Sequence, residues 1–478
     1  MTRNQLSSSN ATREACHRMP LGERVGLFRR LMACFVVLVL AVLCSLPPVT
    51  PARAQVSASG LQASSHEVPA AVGAPVAAPT IVAAYTLSPE RFQKARNLSR
   101  IRFRFAIVGF LYGLGVLWTV LRWQLAPKYR DLAKRAFSRV PFQALVFAPL
   151  MLLTIGVFQL PISIYDNWVS RAYGISVQGW GSWVWDWAKG ELVGAVIGTI
   201  AVSVLYAVIR NSPRRWWFYF WLASLPLAVC LFFLQPLVVD PLFHEFKPLA
   251  DKAPGLTLAL EKMVHRAGVN IPAERMYWMG AAEKSTALNA YVTGIGASKR
   301  IVVYDTTIAK MNTPQIVFVA GHETGHYVLY HIPKLIAWNA TIFLVVFYAG
   351  YLGISRILER WGQGWGIRGV DDWASLPVLM LLLAIFTFVL NPVTNAISRH
   401  YEHQADQYGL EVTHGLTPDA GQIAAQSFNI LGDVDLGDPE PNRLDVFMFY
   451  SHPPIADRIR FSLTYDPWSL GGHGEFVP

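Results

Sequence analysis

Two histidines and a glutamate stand close together in the sequence, as His322, Glu323 and His326. On a helix, residues four apart lie on one face a turn apart, so both imidazoles can reach one metal ion. Zn²⁺ held by three protein groups keeps a fourth position for water and lowers the pKa of that water towards about 7. Glu323 lies off the line of the two histidines, which suits a general base better than a ligand. The spacing therefore predicts a hydrolytic zinc site, and the alternative is a structural histidine pair in an apolar helix.

The element that must carry this pair is a helix. Thr313 followed by Pro314 is typical of a helix start, since threonine can cap free N–H groups and proline at the first position lacks an N–H that would be unpaired anyway. Pro333 is expected to end the same helix. His331 is five residues beyond His326 and rotates off the shared face, so it is not predicted to bind the metal.

A third ligand is needed, and the candidate comes from residues 398–406, SRHYEHQAD. Glu402 and Asp406 are four apart, so one helical face presents both carboxylates. Glu402 can complete a set of two histidines and one glutamate, while Asp406 holds a ligating imidazole from behind. The alternative is a solvated charged helix. His400 and His403 are rivals for the metal, but neither shares that face well.

The elements around these residues are those of a membrane protein. Of 478 residues, 53% are hydrophobic and only 15% are charged, with a mean hydropathy of +0.33. A bilayer core needs roughly 20 apolar residues per helix. Seven uncharged apolar runs approach that length: 31–52, 105–121, 140–165, 192–209, 216–239, 335–355 and 373–398. The formal charge of +10 comes from short basic clusters beside these runs, so we do not expect a nucleic-acid partner.

The last two runs lie between His326 and Glu402. If both residues bind one ion, the chain between them must leave and return to the same place, which requires an even number of membrane crossings. Runs 335–355 and 373–398 supply two crossings. The sequence therefore predicts a membrane hairpin inserted into one catalytic domain.

The N-terminal part supports two interpretations. Run 31–52 follows Arg29–Arg30 and precedes an Ala-Arg-Ala sequence, which is typical of a cleaved signal peptide, but its charged leader is long and a retained helix is equally consistent. Beyond it lies an Ala/Ser/Pro-rich segment that is predicted to be a flexible linker. The four cysteines, Cys16, Cys34, Cys44 and Cys230, are far from the histidines and indicate neither a disulfide framework nor a cysteine metal site.

Two polar stretches should hold the chemistry, 240–334 and 399–478. In the first, residues 256–268 have helical spacing, and 276–279 and 300–304 are typical of short strands. The tryptophan-rich segment 179–190 is predicted to be an interfacial connection between two membrane helices. The proposed division is 1–54, signal peptide or first helix; 55–84, linker; 85–239, membrane domain with four helices and the interfacial segment; 240–334, first catalytic half; 335–398, hairpin; 399–478, second catalytic half.

Five segments together resemble a known family. They are HETGH at 322–326, SRHYEHQAD at 398–406, STALNAYVTGIGASKRIVVYDT at 285–306, SHPPIADRI at 451–459 and RAYGISVQGWGSWVWDWAKG at 171–190. Taken in their order along the chain, they resemble the CAAX prenyl protease 1 family, integral-membrane zinc metalloendopeptidases, over residues from about 85 to 460. The resemblance implies a mainly α polytopic membrane protein, with about seven transmembrane helices around a chamber. It also implies a small α+β zincin-like catalytic domain, split by a transmembrane hairpin.

Further site residues follow from the resemblance only. It implies that His322, His326 and Glu402 bind one Zn²⁺ and that Glu323 is the general base. Asn289 and Ala290 would lie on an edge strand that pairs with an extended substrate. His452 and Arg458 would stabilise the developing oxyanion or hold the substrate, since donors near that charge are what the transition state requires.

Three functions are consistent with these residues. The first is a membrane zinc endopeptidase like the CAAX enzymes, acting on peptides or proteins with or without a lipid. The second is an HtpX-like protease that removes damaged membrane proteins. The third, a non-hydrolytic metal-binding transporter, is disfavoured by Glu323, because a structural metal site needs no base.

The same features bear on location. The extended N-terminus suggests a bacterial member, which would lie in the inner membrane as a multi-pass protein in contact with lipid. Basic loops at 122–139, 210–215 and 356–368 oppose an equally basic segment at 91–104, so charge does not decide the orientation. The family resemblance favours a cytoplasmic catalytic domain, whereas a cleaved signal followed by six helices would place it outside.

Overall fold

The computed structural model describes residues 81–294 and 298–477. The first apolar run, most of the expected linker and three of the four cysteines lie outside these residues. Within them the protein is mainly helical, with one small sheet.

Five helical segments are long and apolar enough to cross a membrane: Pro89–Arg122, Val140–Ala172, Trp180–Asn211, His331–Trp365 and Trp373–Thr413. They contain helices α1 (Pro89–Arg122), α3 (Val140–Ala172), α4 (Trp180–Asn211), α10 (His331–Ile357) and α11 (Leu376–Thr413). Each exceeds the roughly 20 residues that a bilayer requires, so their ends can project beyond it. This confirms the expected polytopic, mainly α membrane fold.

Two further helices belong to the same part of the molecule, α2 (Leu125–Ala136) and α5 (Trp216–Leu234). α5 covers the expected run 216–239 but is shorter than the other five. α2 lies in a basic stretch that we expected to be a loop. The tryptophan-rich segment is also not a separate connection, because α4 begins at Trp180 and continues without a break to Asn211.

The sheet has four short strands in the order β1-β2-β4-β3. They are β1 (Phe246–Pro248), β2 (Met276–Met279), β3 (Ala290–Thr293) and β4 (Arg300–Tyr304). β2 and β4 are parallel, and the two outer strands pair antiparallel with them. The two strands predicted from the sequence are confirmed at both ends, and β3 is an edge strand.

The remaining α-helices pack on this sheet, on one another or on α11. They are α6 (Leu249–Lys252), α7 (Pro254–Arg266), α8 (Asp305–Lys310), α9 (Thr313–Val328), α12 (Ala420–Val434), α13 (Arg443–Phe449) and α14 (Ile455–Thr464). α7 confirms the helical spacing predicted for 256–268.

Helix α9 carries the histidine pair; its expected start at Thr313 is confirmed, but the expected capping residue and the expected end at Pro333 were wrong. Asn312, not Thr313, is the cap: its side chain accepts from the Gln315 N–H while the Gln315 side chain accepts from the Asn312 N–H. The helix ends at Val328 rather than at Pro333, because Tyr330 adopts a left-handed conformation with φ of 57°. Pro333 lies in the first turn of α10, where its missing N–H costs nothing.

Helices α9 and α11 cross at very short range. A Cβ added to Gly321 would lie 2.9 Å from Val412 Cγ1, and one added to Gly409 would lie 3.2 Å from the His322 backbone nitrogen. A Cβ added to Gly325 would lie 3.0 Å from Cβ and Cδ1 of Tyr408. Glycines at the crossing let the two helix backbones approach, and that approach brings α11 up to the histidines of α9.

The two polar stretches share one hydrophobic core. Met276 and Ile316 from the first stretch and Tyr408 and Val412 from the second are buried in the same cluster. Between them the chain runs out along α10 and back along α11, which is the hairpin that the even number of crossings requires.

Candidate active site

Three side chains converge where α9 meets α11. His322 Nε2 lies 3.2 Å from His326 Nε2 and 3.4 Å from Glu402 Oε2, and His326 Nε2 lies 3.5 Å from Glu402 Oε1. Two atoms bound to one zinc ion at tetrahedral angles, each at about 2.0–2.1 Å, are roughly 3.3 Å apart. The three separations therefore match a metal-ligand set, and among the described residues these three form the group that could hold an ion.

The chemistry of this set also fits a cation. Glu402 Oε2 is buried and accepts no hydrogen bond from the described residues, and a buried carboxylate oxygen normally requires a partner. The Nε2 atoms of His322 and His326 face this carboxylate, and one metal ion between the three side chains can bind both nitrogens and the carboxylate. His400 and His403, the rival ligands, are exposed and lie outside the group.

His322 is oriented from behind by a carboxylate. Its Nδ1 lies 2.8 Å from Asp406 Oδ1, and Asp406 is itself held by Arg458, whose Nε and Nη2 donate to its two oxygens at 2.8 and 2.5 Å. Burial lowers the pKa of His322, but Asp406 and Glu402 outweigh it and raise that pKa to about 10. The same negative surroundings favour any cation at Nε2, a proton or a metal ion.

His326 lies in a different environment. Burial, reinforced by neighbouring His322, lowers its pKa to about 3, so the imidazole is neutral and can act as a ligand. Behind it, His326 Nδ1 lies 3.1 Å from Nδ1 of His331. His331 was not predicted to bind the metal and is not in the ligand group, but the sequence reasoning missed its contact with a ligand.

Glu323 borders the ligand group without joining it. Its Oε1 is 4.0 Å from His322 Nε2, and about a quarter of its side chain is exposed. Burial raises the pKa of this carboxyl to about 7. A carboxyl with that pKa beside a ligand triangle can both accept and return a proton near neutral pH.

His452 and Arg458 lie on the other side of Glu402. His452 Nε2 is 3.3 Å from Glu402 Oε2, its Nδ1 is 2.9 Å from Ser451 Oγ, and 56% of the side chain is exposed. Arg458 is buried, with Nη2 3.9 Å from the same Glu402 oxygen. The exposed imidazole is thus accessible to a substrate, whereas the guanidinium is engaged by Asp406.

Asn289 and Ala290 stand at the start of β3, opposite α9. Asn289 O accepts from the Tyr304 N–H, and Asn289 N–H donates to Thr307 Oγ1. Because Ala290 lies opposite Val303 and pairing alternates along an antiparallel strand, the N–H and C=O of Ala290 and Val292 face the free edge. The edge strand that the resemblance implied therefore leaves these backbone groups without a strand partner among the described residues, and it packs against α9, which carries the histidines.

A cavity of about 270 Å³ borders several of these residues. It is lined by Leu288, Asn289, Phe318, Val319, His322, Glu323, Phe428, Leu431, Asp435, His452, Ile455 and Arg458. Asp435 is the unexpected member, since nothing in its local sequence distinguishes it from other loop aspartates. The described residues offer its carboxylate no hydrogen bond or ion pair within 4 Å, and burial raises its pKa to about 6, against a smaller opposing effect of Arg102.

Replacing Asp435 by asparagine is expected to stabilise the protein at pH 7. Because the folded-state pKa is raised above the unfolded value, the carboxylate destabilises the fold above about pH 6, and that cost disappears as the pH falls through 6 towards 4. The gain should be roughly 1–2 kcal/mol, less than a two-unit shift implies, since the side chain is partly exposed. Thermal melting at pH 7 and pH 5 measures it, with the exposed Asp251→Asn as control. An equal response of both variants would contradict the prediction.

Membrane-crossing helices, a small sheet and a group of two histidines and one glutamate beside a further carboxylate define a membrane metallopeptidase. Comparison with known proteins gives the family. Residues 251–464 match the model of peptidase family M48, and residues 68–245 match the model described as CAAX prenyl protease N-terminal, five membrane helices. The chain belongs to peptidase family M48, among the relatives of CAAX prenyl protease 1.

Individual relatives cover most of the chain. A Bacillus subtilis protein named uncharacterized metalloprotease YhfN is 34% identical over 396 residues, covering 80% of this chain and 89% of the relative. CAAX prenyl protease 1 of Saccharomyces cerevisiae is 24% identical over 399 residues, covering 78% and 86%. The crystal structure of S. mikatae Ste24p has a TM-score of 0.68 at 23% identity, covering 79% of this chain and 90% of that one, and shows the same fold. The protein is an integral-membrane metalloendopeptidase that acts on peptides or proteins.

Proposed function

We propose that this protein is a zinc-dependent endopeptidase in which His322, His326 and Glu402 hold the ion and Glu323 is the general base. The observation that carries the proposal is the ligand triangle, whose three edges of 3.2 to 3.5 Å suit one tetrahedral ion. Glu323, at the rim of that triangle, is what distinguishes a hydrolytic site from a structural one.

A bound zinc ion would supply an activated water molecule and polarise the scissile carbonyl. Glu323 takes a proton from the attacking water at its carboxylate and delivers it to the leaving amine nitrogen, and a pKa of about 7 suits both transfers. His452 donates from Nε2 to the carbonyl oxygen as negative charge develops there. Arg458 acts mainly through Asp406, which holds His322, and is therefore a positioning residue.

The substrate is proposed to bind as an extended strand along β3. The unpaired N–H and C=O of Ala290 and Val292 would give main-chain hydrogen bonds to it, a form of strand addition. Asn289 lines the cavity beside Glu323 and would contact the residue next to the scissile bond. This arrangement is supported by the free edge of β3 and does not require a particular side-chain sequence.

The names of the eukaryotic relatives indicate prenylated CAAX proteins as their substrates. For this chain we propose that the substrate is an extended peptide segment, with or without a lipid, because both candidate activities require one. Matched peptides that differ only in a prenyl group would separate a CAAX-type activity from an HtpX-like quality-control activity. A strong preference for the prenylated peptide favours the first, and equal cleavage of both favours the second.

The proposed location is a bacterial inner membrane, with the catalytic halves in the cytoplasm. The basic segment 91–104 supports this side, because Arg91 pairs with Asp433 and so lies beside the catalytic halves. The basic loops at the opposite ends of the helices favour the reverse orientation. Labelling of a cysteine placed at Glu283, in intact cells and after permeabilisation, decides between them, with all four native cysteines replaced by serine.

Removal of the metal is the direct test of the chemistry. Purified protein should cleave a peptide, lose cleavage in a strong chelator and recover it when one equivalent of Zn²⁺ is returned. The affinity for Zn²⁺ should weaken as the pH falls, because protons compete with the ion for the imidazole nitrogens. Cleavage that persists in the chelator after metal analysis finds no bound ion would refute the proposal.

A further inference from the structure

His331 is a completely buried histidine at the first position of α10. Its Nδ1 lies 3.1 Å from His326 Nδ1, and its Nε2 lies 3.1 Å from Gln404 Oε1. Its ring stacks on Tyr401, with centroids 4.7 Å apart and planes 22° apart. Both ring nitrogens therefore have partners, and one of them is the back of a ligand imidazole.

His326, His331 and Gln404 form a hydrogen-bond chain, and only one arrangement of its protons leaves His326 able to bind a metal ion. If the Gln404 oxygen accepts from His331 Nε2–H, then His331 Nδ1 carries a lone pair and can accept from His326 Nδ1–H. His326 Nε2 is then unprotonated and faces the ligand triangle. The reverse arrangement, with the amide nitrogen of Gln404 donating, would put the proton of a neutral His326 on Nε2 and block the metal.

We propose that His331 and Gln404 are positioning residues that fix the orientation and tautomer of His326 for metal binding. This inference rests on the proposed metal site. It makes the two ligand histidines unlike: His322 is held by a charged carboxylate, Asp406, while His326 is held by a neutral chain. Helix α11 supplies Glu402 to the ion and also Gln404 and Asp406 behind the imidazoles, so its position sets all three ligands together.

If His331 only filled space, its variants would rank differently in zinc affinity from the order that the hydrogen-bond chain predicts. Phenylalanine at position 331 keeps the stack on Tyr401 and most of the buried volume but cannot accept from His326. Asparagine at 331 can place its Oδ1 near the former Nδ1 and restore the acceptor. Packing alone would make asparagine the worse substitute, whereas the hydrogen-bond chain makes it the better one.

The test is zinc affinity of the purified full-length protein, measured by competition with a chromophoric chelator. His331→Phe should bind zinc roughly 10- to 100-fold more weakly, as for other partners behind ligand histidines. His331→Asn should recover most of that loss, and Gln404→Leu should weaken binding by less than His331→Phe. Because the residues act in series, the double variant should be no weaker than His331→Phe alone. His400→Phe, which changes an exposed histidine on α11, is the matched control and should bind as the wild type does.

A second readout is the absorption spectrum of the Co²⁺-substituted protein, which should change in His331→Phe and return towards wild type in His331→Asn. Wild-type affinity and spectrum in His331→Phe, or losses that multiply in the double variant, would overturn the inference. If His331→Phe is judged unfolded by melting of the metal-free protein, Gln404→Leu and His331→Asn decide the question. Wild-type zinc affinity in Gln404→Leu, together with a large loss of zinc affinity in His331→Asn, then overturns the inference. Failure of the metal site itself looks different, since wild-type protein would then bind no zinc or His326→Ala would bind it unchanged.

Discussion

Glu323→Gln is expected to keep the metal and to lose cleavage, with kcat reduced by about 10²–10⁴-fold, the usual contribution of a positioned base. Glutamine has nearly the same shape but cannot take a proton from water. Glu323 is not among the three ligand residues, so the triangle of His322, His326 and Glu402 stays intact. Metal analysis together with turnover of a peptide substrate measures both halves of the expectation.

A control is needed because any substitution near a membrane enzyme can reduce its yield. Glu283→Gln changes an exposed glutamate in the same catalytic half and should leave kcat unchanged. Turnover within a factor of a few of wild type in Glu323→Gln would remove Glu323 from the mechanism. Loss of the metal in that variant would instead assign it to the ligand set.

Glu402→Gln is expected to abolish both metal binding and cleavage. The substitution removes the charged oxygen ligand and leaves two nitrogens, which are too few for a stable three-ligand site. The affinity for zinc should fall by more than the roughly 10- to 100-fold expected when only an orienting partner is lost. Neutral glutamine also leaves His452 and Arg458 without the carboxylate that they face at 3.3 and 3.9 Å.

Competition with a chelator and metal content after dialysis check this expectation. Glu440→Gln, an exposed glutamate beyond α12, is the matched control. Retention of one tightly bound ion by Glu402→Gln would show that another side chain completes the site. His452 would then be the first residue to test, because its Nε2 lies nearest to the vacated carboxylate.

Much of this arrangement could be predicted because it depends on local periodicity. The spacing of His322 and His326 sets their common face, and the spacing of Glu402 and Asp406 does the same on a second helix. The two apolar runs between them required a hairpin. Strands β2 and β4 were predicted to the residue, since short apolar segments of branched and aromatic residues between turns have few other solutions.

His331 shows why part of the site could not be predicted. Five positions after His326 on one continuous helix, its side chain would point away from the ligands. The helix instead ends at Val328, and Tyr330 turns the chain into α10 through a left-handed conformation. The new helix direction brings His331 back against His326, and no local pattern indicates that reversal.

The sequence by itself determined the membrane class, the histidine pair with Glu323 beside it and the inserted hairpin, because each follows from residue type and spacing along one segment. Tertiary structure decided which atoms meet. Glycines 321 and 409 let α9 and α11 approach closely enough for Glu402 to reach both histidines. The attachment of Arg458 to Asp406, the position of Asp435 in the cavity and the hydrogen-bond chain behind His326 all depend on contacts between distant segments, which periodicity does not encode.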